Sequence, residues 1–147
     1  MAQGSFSAQV SGWVRETKER REAVHKGSAQ EIVSIMQTPR GGGGNLRVDT
    51  GFLRASLVAI TGTALPAQTI KPDGGEAFSY DGAQINLVIA GADISQPLTF
   101  VYTANYARPR EYGARGQPAD RWVALAAQQW PQVVDRVCTE AKARSGG

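Results

Sequence analysis

Pro39, followed by Arg40 and four consecutive glycines at 41–44, divides this 147-residue chain into two unlike parts. A helix cannot run through this stretch. The residue before a proline resists helical angles, and glycines give up the most backbone freedom on ordering. Upstream, Val10, Trp13, Val14, Thr17, Val24, Ile32, Ile35 and Met36 recur every three or four places, which predicts one amphipathic helix over 7–37. Its other face carries Arg15, Glu16, Lys18, Glu19, Arg20, Arg21, Glu22 and Lys26. Glu16 with Arg20 and Glu22 with Lys26 are spaced four apart, acid first, the better order for support along a helix. Gly27-Ser28 weakens the middle and is expected to allow a bend.

Downstream of the glycines, Asp49 or Thr50 can cap a short helix, and Leu57–Ile60 reads as a strand. Pro66, Pro72-Asp73-Gly74-Gly75 and Asp81-Gly82 are turn signals, and an extra hairpin is expected between Thr63 and Tyr80. Ile85, Leu87 and Ile89 alternate within 84–90, the pattern of a strand with one buried face, and 98–103 reads as another. A last helix is expected over 119–143, with Trp122, Ala126, Trp130, Val133, Val137 and Ala141 in one stripe and a bend at Pro131, which lacks the N–H a helix requires. The expected fold is a single α+β domain over 1–147. It has a long N-terminal amphipathic helix, a short helix, a small antiparallel sheet, and a C-terminal helix packed on the sheet. The loop at 40–47 is expected to be flexible and to order on assembly.

Charge is unevenly placed. Residues 1–60 carry 8 basic and 5 acidic side chains, residues 61–100 carry 1 and 4, and residues 101–147 carry 7 and 4. Basic ends and an acidic middle suit head-to-tail contact between copies, and they equally suit plain solvated surface. A net charge of +3 does not mark a nucleic-acid reader. With one cysteine, Cys138, the chain can form no internal disulfide and no cysteine-based zinc site. No run of about 18 apolar residues occurs. Met1–Ser5 lacks the basic start and apolar block of a secretory leader.

Catalytic patterns are not found. The glycines follow a helix and lack the Gly-Lys-Ser/Thr of a phosphate loop. His25 stands alone in a charged helical stretch, where a solvated or partly packed imidazole is the ordinary state. Asp73, Glu76 and Asp81 lie in turns, where local backbone bonding accounts for them. The expectation is a protein that is not an enzyme and takes no cofactor or metal.

Two segments stand out: Val48-Asp49-Thr50-Gly51-Phe52-Leu53-Arg54-Ala55-Ser56, and Asn105-Tyr106-Ala107-Arg108-Pro109-Arg110-Glu111-Tyr112-Gly113 ahead of the Trp122 helix. In this order and at this separation, the pair resembles the tail-completion or neck family of long-tailed double-stranded DNA phages, the gene-product-ten-like family of HK-type siphophages. The resemblance spans roughly Trp13 to Val137. The chain departs from it at the start of the last helix, where it has Gln117-Pro118-Ala119-Asp120-Arg121-Trp122 in place of the family's "Pro-Phe-Leu". The resemblance implies a virion subunit, assembled in the host cytoplasm. Its copies would form a ring of six-fold or twelve-fold symmetry that joins head to tail and lines the DNA exit channel. Implied partners are its own copies, head-completion or connector proteins, and tail-tube or tail-terminator proteins. Genomic DNA would pass without sequence-specific binding, and no membrane is involved.

Under this reading the interface residues are Asp49, Thr50, Gly51, Phe52, Leu53, Arg54, Ser56, Tyr106, Ala107, Arg110, Glu111, Tyr112, Gly113 and Trp122. Phe52, Tyr106, Tyr112 and Trp122 are the expected aromatic anchors. Arg54, Arg108, Arg110 and Arg115 are expected to pair with Glu111, Asp120 or the acidic middle of a neighbour. Two alternatives remain at this point. One is a tail-terminator ring capping the tail tube. The other, from a different class, is a small nucleic-acid-binding module using Arg15, Lys18, Arg20, Arg21 and Lys26, against which the interleaved Glu16, Glu19 and Glu22 argue.

Overall fold

The computed structural model describes residues 6–144, so the leader reading of Met1–Ser5 lies outside the described residues. The fold is α+β, built around one helix, α1 (Phe6–Gln37). At 1.5 Å per residue its 32 residues extend about 48 Å. Only its second half is covered: the buried positions are Ser28, Ala29, Ile32, Val33, Met36 and Gln37.

After α1 come a single 3-10 turn (Arg40–Gly42), α2 (Phe52–Ala55), β1 (Leu57–Thr61), α3 (Ala83–Gly91), β2 (Leu98–Tyr102), α4 (Ala107–Tyr112), α5 (Trp122–Gln128) and α6 (Trp130–Arg144). β1 and β2 pair antiparallel, with Leu57 opposite Tyr102 and Thr61 opposite Leu98. The core joins α1, the sheet, α3 and the C-terminal helices through Leu46, Leu53, Leu57, Ile85, Ile89, Trp122 and Val133. Trp122, 2% exposed, meets Tyr102 edge-on with ring centres 5.3 Å apart, which packs the C-terminal segment on the sheet. The Tyr102 hydroxyl donates to Gln37 Oε1 at 2.6 Å, and Gln37 Nε2 donates to the Arg54 carbonyl at 2.9 Å. Together these bonds tie the end of α1 to α2 and β2.

α6 runs antiparallel to α1. Val137 lies against Gly27, where an added Cβ would stand 3.0 Å from its Cγ1, and Arg136 pairs with Glu31. Gly27 therefore permits close helix packing, and α1 passes through it as one continuous helix, where a bend was expected. The C-terminal helix is interrupted beside Pro131, as its sequence requires, and is resolved into α5 and α6.

Two sequence expectations are corrected. Residues 84–90 are helical, not a strand. Asp81 Oδ1 accepts from Ala83 N at 3.0 Å and starts α3. Ile85 and Ile89 are buried one turn apart, and Leu87 is 74% exposed. The Gln84 side chain bonds both the N–H and the C=O of Ala59 on the outer edge of β1. No hairpin forms between Thr63 and Tyr80. The stretch is irregular, held by the Thr69–Ala104 bridge and by Phe78 N donating to the Thr50 carbonyl at 2.8 Å.

The glycine loop folds back on itself. Arg40 N donates to the Leu46 carbonyl and Gly44 N to the Pro39 carbonyl, both at 2.9 Å, and Leu46 is fully buried. A Cβ at Gly44 would lie 2.0 Å from the Thr38 carbonyl oxygen, so the glycine is required here by a close backbone approach. Among the described residues no helix is long and apolar enough to cross a membrane.

Candidate functional site

The fold brings the two singled-out segments together. Gly51, at φ +87°, turns the chain tightly under Phe78, so that a Cβ there would lie 2.3 Å from the Phe78 carbonyl oxygen. This turn sets Phe52 at the start of α2. Its ring stands 5.1 Å from Phe78, edge-on, and 6.1 Å from Tyr106, stacked. Leu53 enters the core, and the Ser56 carbonyl accepts from both the N–H and the hydroxyl of Thr103, just ahead of the second segment. Between the segments lies a cavity of about 210 Å³, with Arg47, Asp49, Arg54, Lys71, Tyr106 and Arg110 among its walls. Burial raises the Tyr106 phenol above its ordinary pKa, against the lowering effect of the Leu53 backbone and of Arg110.

Most of the expected interface residues are engaged inside the chain. Thr50 Oγ1 lies 3.4 Å from Phe52 N, and the Ser56 hydroxyl donates to the Leu53 carbonyl. Arg54 Nε donates to the Gln37 carbonyl, and its guanidinium covers the Tyr80 ring at 5.1 Å. Ala107 opens α4, and Gly113, at φ +83°, closes it. Glu111 is buried, and its two carboxylate oxygens accept from Val123 N at 2.9 Å and Ala124 N at 3.0 Å. It thus caps α5 from another element, since the local cap residue Arg121 contributes no side-chain bond.

Three residues expected at a subunit contact are corrected by this geometry. Trp122 is core. Glu111 and Asp120 are buried, so neither faces a neighbour's arginine. Asp120 Oδ1 instead accepts from Arg40 at 2.9 Å and Arg47 at 3.1 Å, clamping both ends of the glycine loop to the start of α5. The side chains left outward are Asp49, whose carboxylate lies 3.6 Å from Lys71, and Tyr112, 72% exposed with Arg108 over its ring at 5.6 Å.

A second surface was not anticipated. Phe6, Val10, Trp13 and Val14 are 80%, 43%, 67% and 53% exposed. They follow the i, i+4, i+7, i+8 spacing of one helix face. α6 reaches α1 at the level of Glu16–Arg20, and residues 6–14 lie beyond it. A signal existed: no charged residue occurs from 6 to 14. The apolar spacing had been assigned to the core, because a stripe looks the same whether its own chain or another covers it.

Among the described residues no group of three or more His, Cys, Asp or Glu is placed to hold a metal ion. Comparisons with protein-family models, with curated proteins and with solved structures find no match for the chain.

Proposed function

We propose that this protein is a self-assembling structural subunit, a ring-forming neck or tail-completion component that joins head to tail in a long-tailed phage. The observation that carries the assembly half of this reading is the projecting, charge-free end of α1. It holds two aromatic and two aliphatic side chains against solvent, an arrangement that apolar burial on a neighbour would relieve. The virion half rests on the resemblance of the two segments, with support from their packing as one unit through Phe52 and Tyr106.

The nucleic-acid alternative finds less support in the geometry. Lys18 faces Glu22 at 4.0 Å, and Lys26 Nζ donates to the Ala90 carbonyl at 2.8 Å, so two of its five cations are engaged within the chain. A ring-former has a recognisable mass. Light scattering of the purified chain across a concentration series should give a multiple of 15.7 kDa, and the protein should be present in purified virions. A strict monomer absent from virions overturns the proposal. Particles made without the protein separate the two virion roles. Free heads beside finished tails mean joining, and tails of uncontrolled length mean termination.

A further inference from the structure

We propose that the end of α1 from one copy seats in the groove between α1 and α6 of the next copy. The inference deepens the self-assembly half of the proposed function and rests on it. It does not depend on the virion half.

The groove is a cavity of about 460 Å³ whose lining includes Val24, His25, Ser28, Trp130, Val134 and Cys138. Its floor is apolar, with Trp130 39% exposed at the side. Two polar atoms in it lack partners. The Ser28 hydroxyl belongs to a fully buried residue, and His25 Nε2 is likewise buried without a hydrogen bond. Polar groups desolvated this way disfavour an empty groove, and an occupant that brings hydroxyls or amides among apolar side chains satisfies both needs at once. Residues 6–14 have that composition. Phe6, Val10 and Trp13 form the ridge, Ser7 and Ser11 lie beside it, and no charge has to be stripped of water. The absence of lysine and arginine from this segment also suits a groove that has Arg20 and Arg21 in its walls.

Ridge and groove cannot meet within one molecule. Val10 and Val24 lie on the same unbroken helix, 14 residues and so about 21 Å apart. The contact is therefore between copies. Because ridge and groove are different patches, it is heterologous and repeats from copy to copy until it closes. Phe6 and Trp13 offer on the order of 300 Å² to a neighbour. A single contact of that size is modest. Each copy makes two, once through its ridge and once through its groove, and closure of a ring makes them mutually dependent. Composition points the same way. Ser7, Val10, Ser11, Gly12 and Val14 are weak helix formers, so this turn-and-a-half gains its order from packing.

Cys138 provides the test, since it is the only cysteine and lies in the groove. Full-length Val10→Cys, treated with a short bismaleimide, should give covalent dimers and higher multiples, and Val10→Cys with Cys138→Ser should not. Trp13→Asp should reduce the mass in solution to that of one chain while leaving thermal unfolding of the monomer unchanged, because Trp13 is exposed within its own chain. Coupling that persists without Cys138 means that two α1 ends pair symmetrically, and it overturns the proposal. So does a Trp13→Asp protein with the wild-type mass. A wild type that multimerises while Val10→Cys fails to couple to Cys138 sinks this docking mode alone. A wild type that is monomeric throughout sinks the assembly reading with it.

Discussion

Replacing Glu111 by Gln tests whether the second segment is structural support or contact surface. In the native chain both carboxylate oxygens receive backbone N–H groups, at positions two and three of α5. Glutamine keeps one oxygen but turns an NH₂ group toward the other N–H, so one charge-assisted bond becomes two donors facing each other. Losing such a bond costs about 1.5–3 kcal/mol, and losing the negative charge at a helix start adds about 0.3–1 kcal/mol. The expected loss is about 2–4 kcal/mol, a large share of the stability of a domain of this size. Urea unfolding at pH 7 measures it, followed by circular dichroism and by tryptophan fluorescence, since Trp122 is the first residue of the capped helix. Coincident curves license a two-state fit. Glu140→Gln, on the exposed face of α6, is the control and should lie within about 0.5 kcal/mol of wild type. An equally small effect at Glu111 would refute the capping argument. A change in multimer mass with unaltered stability would return Glu111 to the interface.

Other perturbations separate geometry from sequence pattern. Gly44→Ala drives a Cβ into the Thr38 carbonyl and should destabilise by about 1–3 kcal/mol. Gly41→Ala meets nothing within 4 Å and should be neutral or stabilise by up to about 1 kcal/mol; thermal melts of the two variants decide this. Ile85→Ala should cost about 2–5 kcal/mol in denaturant titration and Leu87→Ala little, the reverse of equal burial on a strand face. Burial holds the Tyr102 phenol well above its ordinary pKa of 10.0, whereas the unfolded chain ionises there. Its contribution is intact below pH 10 and declines as pH rises toward the folded value, so wild type should lose stability above about pH 10. Tyr102→Phe should flatten that decline, at a cost of about 1 kcal/mol at neutral pH from the lost bond to Gln37. Tyr106, shifted in the same direction, keeps the profile from becoming flat.

The sequence carried the outer plan of the fold because its strongest signals are local. Pro39 ends α1 where expected, Pro131 lies at the α5–α6 interruption, and the strands at 57–61 and 98–102 stand out by their β-branched and aromatic content. The error at 84–90 has a specific cause. Over seven residues, Ile85, Leu87 and Ile89 fit a period of two, while Ile85, Val88 and Ile89 fit a helix face, and the pattern alone cannot choose. Asp81, taken for a turn residue, was the cap that decides it. At the candidate site the meeting of the two segments was legible only as a resemblance. The roles of Glu111 and Asp120 were hidden because Val123, Arg40 and Arg47 reach them through the tertiary fold, up to 80 residues away in the chain.

The Gln84 amide on Ala59 has a further effect. A two-stranded ribbon presents unpaired backbone along its outer sides, and such sides recruit extended segments from other chains. At β1 the central outward-facing pair is already occupied by a side chain that imitates a third strand at a single position. An invading peptide would have to dislodge α3, and with it Ile85 and Ile89, before it found a free carbonyl there. Copies of this protein are therefore steered away from strand exchange on that flank, a safeguard against fibril growth when many subunits gather at one place.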